Sequence, residues 1–196
     1  MSARADNLLP CDGIVRLHEG ALAEADARRL FDQLMAVTPW RLEIATVMGR
    51  RVPIPRLTAW HGEAGYVYSG IRMTPAPWNE PLLEIKAVAE AWAGQAFNSV
   101  LLNLYRHGRD SVSWHADNEP GLGRDPVIAS VSLGATRRFQ MKHRRRDERL
   151  ALDLPPGSCL VMADATQHHW LHQVPKTSRP VGPRINLTFR AMAAPA

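Results

Sequence analysis

Cysteine and long apolar runs are scarce in this sequence. Only two cysteines occur in 196 residues, Cys11 and Cys159, and neither belongs to a C-x-x-C pair, so we expect free thiols and a cytoplasmic location. No run of about 18 apolar residues is present, so we expect no membrane-spanning helix and no membrane partner. The first residues, MSARADNLLPCDG, lack the apolar core of a signal peptide.

The residues that are present fit a soluble globular protein. Hydrophobic residues make up 45% of the chain and charged residues 22%, which is ordinary for such proteins, and the length suits one domain with a sizeable core. Basic residues outnumber acidic ones, 24 to 19, for a net charge of +5. This excess favours a polyanionic partner such as nucleic acid, although it also serves solubility alone. We expect a monomer.

Two helices are predicted in the first half of the chain. Residues 21–35 place apolar side chains at helical spacing, and a second helix is expected after Asn79 as N-cap, with Pro81 in its first turn. The apolar positions are Ala27, Leu30, Phe31 and Leu34 in the first helix and Leu82, Ile85, Ala89 and Trp92 in the second.

From about residue 97 the chain becomes a series of short strand-like segments separated by turns. Eight such segments with no helix between them predict two packed sheets of a jelly roll. The expected fold class is therefore mainly β with flanking helices and a double-stranded β-helix (jelly-roll) core. The segments are FNSVLLNLYR, SVSWHAD, IASVSLG, RRFQMKH, ERLALDL, GSCLVM, HHWLHQV and RINLTFRAM.

A basic run, KHRRRDER at residues 142–149, lies between two of these segments. It is interpreted as a solvated hairpin turn, or as a contact for nucleic acid phosphates. The two interpretations are compatible.

A metal site is predicted from the segment SVSWHADNE, residues 111–119. His115 and Asp117 are two residues apart, so on a strand both point to one face. A third histidine from a distant strand would complete the two-histidine, one-carboxylate set of non-haem Fe(II) oxygenases. The segment QHHWLHQVP offers three candidates; as a strand it places His168 and His172 on one face and His169 on the other, which leaves two of them open.

An anion site is predicted from the alternating segment PRINLTFR, residues 183–190. Two arginines with an amide and a hydroxyl between them share one face, and burying them without a partner would be costly. A small dicarboxylate would engage both arginines; the alternative is an exposed edge strand with its polar face in water. The face comprises Arg184, Asn186, Thr188 and Arg190, and the segment LNLYR adds Asn103 and Tyr105 at the same spacing.

Together these motifs resemble the AlkB-type Fe(II)/2-oxoglutarate dioxygenases, which reverse alkylation damage on nucleic acid bases. The resemblance runs from about residue 45 to residue 190. It includes N-x-Y, the H-x-D of WHADNE, PVIASVSLGATRRF, HWLHQVPK and the terminal RINLTFR. The segment RVPIPRLTAWHGEAGYVYSG resembles the substrate-binding region of the eukaryotic-type DNA repair branch more than that of the best-known bacterial enzyme.

The resemblance implies roles for individual residues. It makes His115, Asp117 and His172 the iron ligands, and it places Arg184 at the distal carboxylate of 2-oxoglutarate and Arg190 near the end chelated to iron. A flipped base would stack between Tyr68 and His115. The remaining implied contacts are Asn103, Tyr105, Asn186 and Thr188 for 2-oxoglutarate, and Tyr66 and Glu119 for the base; Asn118 stands where relatives carry an acidic residue.

The resemblance also implies a hairpin at VMGRRVPIPR, residues 47–56, that pushes Met48 into the duplex as an apolar wedge. Met48 as a merely exposed tip residue is the alternative. Arg50, Arg51 and Arg56 would hold phosphates. The single domain would then divide into an N-terminal extension (1–18), helices with a nucleotide-recognition hairpin (19–96) and a jelly-roll catalytic core (97–196).

The implied activity is oxidative demethylation of N-alkylated bases in DNA, with 1-methyladenine and 3-methylcytosine as the expected substrates and the bulkier ethenoadenine as a third candidate. The cofactors would be Fe(II), 2-oxoglutarate as cosubstrate and O2, and the products formaldehyde, succinate and CO2. Alternatives are the same chemistry on RNA or on a protein side chain, a catalytically inactive jelly roll that binds nucleic acid, and a cupin-like metal protein. The last leaves Arg184 and Arg190 unexplained.

Overall fold

The computed structural model describes residues 6–47, 49–63, 66–68, 71–73 and 75–193. Strands dominate these ranges, and none of the helices described there is long and apolar enough to cross a membrane. In chain order the elements are β1 (Ile14–His18), α1 (Glu24–Val37), β2 (Ile44–Val47), β3 (Arg50–Pro53), β4 (Leu57–Gly62), β5 (Tyr66–Tyr68), β6 (Ile71–Met73), α2 (Glu80–Ala93), β7 (Ser99–Tyr105), β8 (Val112–His115), β9 (Ile128–Gly134), β10 (Arg137–His143), β11 (Arg149–Leu154), β12 (Cys159–Ala163), α3 (Thr166–His169), β13 (Trp170–Val174) and β14 (Arg184–Arg190).

Two antiparallel sheets form the jelly roll that the sequence predicts. The larger sheet has the order β1-β12-β9-β14-β7-β4, and the smaller has the order β11-β10-β13-β8. Strands β7 to β14 divide equally between the two sheets and coincide with the eight predicted segments. The jelly-roll prediction is therefore confirmed.

The large sheet also recruits strands from earlier in the chain. β1 pairs with β12 at one edge, and β4 pairs with β7 at the other. The sheet thus takes strands from all three segments that the sequence interpretation separated at residues 18 and 96. Two short hairpins, β2–β3 and β5–β6, stand outside both sheets.

Strand β14 is buried along its whole length because it lies between β9 and β7 in the centre of the large sheet. Its apolar residues, Ile185, Leu187 and Phe189, belong to the core between this sheet and helices α1 and α2. Its polar residues alternate with them and face the space between the sheets. The interpretation as an exposed edge strand is wrong, and the polar face requires a buried partner.

The two predicted helices cover the outer face of the large sheet. α2 begins as predicted, since the Asn79 side chain accepts a hydrogen bond from the N–H of Leu82 at 3.1 Å. It ends at Gly94, which adopts a left-handed conformation with φ of 68°. The buried face of α1 includes Ala27, Leu30 and Leu34.

The segment that contains the three histidines is only partly a strand. Thr166–His169 forms the single turn α3, and β13 begins at Trp170. The expectation that His168 and His169 lie on the strand is wrong, because the chain turns there between β12 and β13. His172 remains on the strand.

Candidate metal and cosubstrate site

The smaller sheet brings two of the predicted iron ligands side by side. His115, the last residue of β8, is directly opposite His172 on β13, and their ring centroids are 4.2 Å apart. Asp117 follows two residues later, with its Oδ1 atom 3.8 Å from His115 Nε2. The ligating atoms of these three residues lie within 4.8 Å of one another, close enough to share one metal ion.

The hydrogen bonds around these side chains orient them toward a common point. His115 Nδ1 lies 2.8 Å from the carbonyl oxygen of Ser113, so Nδ1 donates its proton there and leaves Nε2 with a lone pair facing Asp117. The backbone N–H of Asp117 donates to Gln167 Oε1 at 2.9 Å. Gln167 is fully buried in α3. This short helix therefore fixes the backbone of Asp117, just after the end of β8.

The donor atoms also fit a cation. Asp117 Oδ1 and His172 Nδ1 are buried and have no hydrogen-bond partner within the described ranges, which is costly unless another group satisfies them. Asp117 Oδ2, by contrast, lies 3.0 Å from Arg190 Nη2. A metal ion bound by one carboxylate oxygen and two imidazoles matches this donor set.

Electrostatics keep Asp117 and His172 in the form that binds metal. Burial opposes ionisation of Asp117, but Arg190 and the rings of His172 and His115 outweigh it and hold the pKa of the carboxyl far below its usual range. Burial, together with His115, lowers the pKa of His172 to about 3, against the opposing charge of Asp117. The carboxylate is therefore ionised and the imidazole neutral at physiological pH.

A polar wall on the large sheet faces these ligands across the cavity. In register, Arg184 on β14 pairs with Tyr105 on β7, and Asn186 pairs with Asn103. The sheet therefore brings together the two segments from which the anion site is predicted. The cavity is lined by Arg56, Leu101, Asn103, Tyr105, Val112, His115, Asp117, Ser130, Phe139, Met162, His172, Val174, Arg184, Asn186, Thr188 and Arg190.

Arg184 is the most buried arginine of this wall. Its side chain is 1% exposed, its Nη2 donates to Ser132 Oγ at 2.8 Å, and its guanidinium lies 5.3 Å from the centre of the Tyr105 ring. Burial lowers the pKa of Arg184 to about 10, which still leaves it charged at neutral pH. Nε and Nη1 have no hydrogen-bond partner among the described residues. A carboxylate would satisfy this guanidinium bidentately.

Two serines complete the wall and were not singled out from the sequence. Ser132 accepts from Arg184 as above, and Ser130 Oγ accepts from Asn186 Nδ2 at 2.7 Å. Ser130 and Ser132 are two residues apart on β9, which lies beside β14, so both face the same side of the sheet. The alternation of serine with apolar residues in IASVSLG could therefore have predicted them.

Arg56 lies elsewhere than expected. The sequence interpretation grouped it with Arg50 and Arg51 as a phosphate contact. Those two are exposed on β3, but Arg56 is 5% exposed and donates from Nε to Asn103 Oδ1 at 2.6 Å. Its guanidinium therefore belongs to the cavity wall and does not reach the surface.

The other predicted base contacts belong to the loop after β8, to strand β5 and to a position outside the described residues. Glu119 follows Asp117 in the loop after β8, with a buried Oε2 that lacks a hydrogen-bond partner among the described residues, and Asn118 is exposed. Tyr66 and Tyr68 are the ends of β5, paired with β6. Met48 is outside the described residues.

The two remaining histidines of the triplet have other partners. His168 Nε2 is 3.1 Å from Asp125 Oδ1 at the surface. His169 stacks against His143, with ring centroids 5.8 Å apart. The structure thus places only His172 of the three in the cluster with His115 and Asp117.

A second cluster of metal-ligating side chains fits a metal less well. Cys11, Asp12 and His143 also bring their ligand atoms within 4.8 Å. However, His143 Nδ1 accepts hydrogen bonds from the backbone N–H groups of Arg145 and Arg146, at 3.2 and 2.9 Å. The ring proton is then on Nε2, which faces Asp12 Oδ2 at 3.2 Å and has no lone pair to offer. This cluster ties the N-terminal segment to the β10–β11 hairpin.

Comparisons with known proteins agree with this geometry. A family model described as 2OG-Fe(II) oxygenase superfamily matches residues 14–190. Alpha-ketoglutarate-dependent dioxygenase alkB homolog 3 from Bos taurus is 44% identical over 192 residues, which cover 93% of this chain and 65% of that protein. The chain thus spans slightly less than two thirds of that relative's length.

A shorter relative is covered more fully. DNA oxidative demethylase ALKBH2 from Mus musculus is 36% identical over 195 residues, covering 93% of this chain and 80% of that protein. Among solved structures, one described as "The structure of OsALKBH1" matches with a TM-score of 0.62 at 15% identity, covering 90% of this chain and 96% of that chain. That last likeness concerns the fold alone.

Proposed function

This chain belongs to the 2OG-Fe(II) oxygenase superfamily and, within it, to the AlkB-type dioxygenases, and from this premise we propose that it is an oxidative demethylase of N-alkylated bases in DNA. The observation that carries the proposal is the cluster of His115, Asp117 and His172, which shares one cavity with a buried polar wall that includes Arg184. The name DNA oxidative demethylase of the ALKBH2 relatives supports DNA as the substrate.

Members of this superfamily use Fe(II) and 2-oxoglutarate together with O2. His115, Asp117 and His172 would hold the iron and leave three coordination positions open. When bound, the iron and 2-oxoglutarate supply the oxidising chemistry that turns an N-methyl group into a hydroxymethyl group, which leaves as formaldehyde, with succinate and CO2 as coproducts.

The protein's own residues position the reactants. Arg184, with Tyr105 and Ser132 beside it, would hold the distal carboxylate of 2-oxoglutarate, and Asn103 would donate a hydrogen bond to it from Nδ2. Asn186 and Thr188 would line the same side of 2-oxoglutarate; Thr188 Oγ1 donates to Asn186 Oδ1 at 3.2 Å, and Asn186 Nδ2 donates to Ser130 Oγ at 2.7 Å. Arg190 holds Asp117 ionised and lies next to the metal end of the wall. Because these side chains are buried, water is largely excluded from the charges that they hold.

The substrate would be a base that has left its stack. Unpairing costs a few kcal/mol, and less for a lesion that pairs poorly, which favours 1-methyladenine and 3-methylcytosine and, as a larger substrate, ethenoadenine. We propose that Tyr68 stacks on one face of the flipped base opposite His115, with Tyr66 nearby, and that Glu119 accepts a hydrogen bond from its exocyclic amine.

Nucleic acid would be held by cations around the mouth of the site. Arg50 and Arg51 are exposed on the β2–β3 hairpin, where Met48 is proposed as the wedge. The turn after β10 lies close to the cluster of His115, Asp117 and His172, because Met141 is opposite His172 and the turn begins at Arg144, three residues farther on, about 10 Å along the strand. We further propose a cytoplasmic monomer; its two cysteines are unpaired.

The direct test is to incubate the protein with Fe(II), 2-oxoglutarate, ascorbate and a single-stranded oligonucleotide that carries 3-methylcytosine. We expect formaldehyde and the unmodified base in equal amounts. Absence of both products would contradict the proposal. Competing methylated DNA and RNA of one sequence decide the substrate class: preferential repair of the RNA would move the activity to RNA.

A further inference from the structure

Arg56 is a buried cation to which the proposed reaction assigns no role. It lies in the short link between β3 and β4, where hydrogen bonds fix the backbone before and after it: Ser111 N–H donates to Pro55 O at 2.9 Å, and Thr58 N–H donates to Arg41 O at 2.9 Å. From this fixed backbone the side chain enters the cavity that the metal cluster and the polar wall share.

The contact that Arg56 makes there determines how one amide is oriented. Its Nε donates to Asn103 Oδ1 at 2.6 Å, so the oxygen of that amide must face Arg56 and the NH2 group must face away from it. Without this donor, the two ends of the amide could exchange places. An NH2 group is what Asn103 needs in order to donate to a carboxylate.

We propose that Arg56 is a positioning residue, which locks Asn103 so that its Nδ2 donates to bound 2-oxoglutarate. The inference rests on the proposed function, since it concerns the cosubstrate of that reaction. The cavity also carries an excess of positive charge. Among the described residues that line it, Asp117 is the single carboxylate beside three arginines, Arg56, Arg184 and Arg190. A dianionic cosubstrate would offset the excess positive charge.

Arg56 could also strengthen 2-oxoglutarate binding by its charge alone, without acting through Asn103. A double-mutant cycle of Arg56 and Asn103 separates these two possibilities. 2-Oxoglutarate binding is measured by calorimetry on protein loaded with Mn²⁺ in place of Fe(II), without nucleic acid. Arg56→Met and Asn103→Ala should each weaken binding about tenfold, as expected for a lost hydrogen bond to a charged group. In the Asn103→Ala background, Arg56→Met should add less than a twofold loss.

Arg28→Met serves as the matched control, because it removes the same charge from an exposed position on α1; it should leave binding unchanged. Mn²⁺ affinity, measured for every variant, reports whether the metal site is still folded, and Arg56→Gln provides a second replacement should Arg56→Met fail to fold. An equal loss in both backgrounds, or no loss from either Arg56 variant, overturns the inference. Wild-type protein that binds no 2-oxoglutarate would instead overturn the proposed function.

Discussion

Three neighbouring histidines differ sharply in their surroundings. His172 is buried beside His115 and Asp117, whereas His168 pairs with Asp125 at the surface and His169 stacks on His143. His172→Ala should therefore weaken Mn²⁺ or Fe(II) binding at least about 100-fold, because it removes one of three protein ligands. Calorimetric metal titration measures this loss.

His168→Ala and His169→Ala are the controls for this prediction and should each keep metal affinity and most of the turnover. If His168→Ala abolishes metal binding instead, the arrangement of β13 opposite β8 described above is wrong.

Single residues also show what the sequence can and cannot predict. The alternation of polar and apolar residues on β14 identified four side chains of the cavity wall, since a strand's period of two is a local property. The burial of Arg56 could not be predicted from local alternation, because the nearby Arg50 and Arg51 are exposed. Arg56 contacts Asn103 only because β4 pairs with β7.

The link between β7 and β8 connects the polar wall of the large sheet to the strand that ends in His115. The buried carboxylate of Asp110 stabilises this link. Asp110 accepts hydrogen bonds from the backbone N–H and the guanidinium of Arg106, at 2.8 to 2.9 Å. Burial raises the pKa of Asp110, but these hydrogen bonds outweigh it and lower the pKa below the ordinary value of 3.8.

A stability prediction follows from this lowered pKa. Because the folded-state pKa lies below the unfolded one, the stabilisation is fully present above about pH 4 and is lost as the pH falls through the folded-state value. Asp110→Asn should lower the free energy of unfolding by about 1–2 kcal/mol at neutral pH and should flatten the acid limb of the stability curve. Urea unfolding between pH 2.5 and 7 measures both. A parallel downward shift of the whole curve would contradict the titration argument.

The turn between β10 and β11 is the element for which the sequence left two interpretations. Arg144 and Arg145 are exposed there. If they contact phosphates, the double variant Arg144→Ala/Arg145→Ala should bind a 3-methylcytosine oligonucleotide more weakly, and the slope of log K against log salt should fall by roughly 1.5. Fluorescence anisotropy at several salt concentrations measures the slope.

The matched control for this turn is Arg28→Ala/Arg179→Ala, which removes two exposed charges from positions on α1 and beyond β13. It should leave the slope nearly unchanged. Equal slopes for the wild type and the Arg144/Arg145 variant would mean that the turn is only solvated.

At the scale of the whole molecule, the eight jelly-roll strands could be predicted, but the full extent of the large sheet could not. Segments 97–196 alternate regularly and are separated by turns, which is local information. β1 and β4 join as edge strands through pairing with β12 and β7, and such tertiary pairing leaves little trace in five or six residues of sequence. Helix α3 interrupts a segment of apolar alternation because the chain must cross there from one sheet to the other.

The same architecture concentrates unsatisfied charge between its two sheets, and this predicts how ligands affect stability. The buried Asp117 Oδ1, His172 Nδ1 and Arg184 Nε and Nη1 have no hydrogen-bond partner within the described ranges. Mn²⁺ and 2-oxoglutarate should bind the folded state alone, so each should stabilise it. At about 100 times its Kd, a ligand contributes about 2.7 kcal/mol to the free energy of unfolding, or roughly 5–10 °C in Tm for a chain of this size. Differential scanning fluorimetry measures the shifts. Arg184→Met should remove most of the 2-oxoglutarate shift and retain the Mn²⁺ shift, whereas His172→Ala should remove both, because 2-oxoglutarate would also bind through the metal. A full 2-oxoglutarate shift in Arg184→Met would mean that the dicarboxylate binds elsewhere in the molecule.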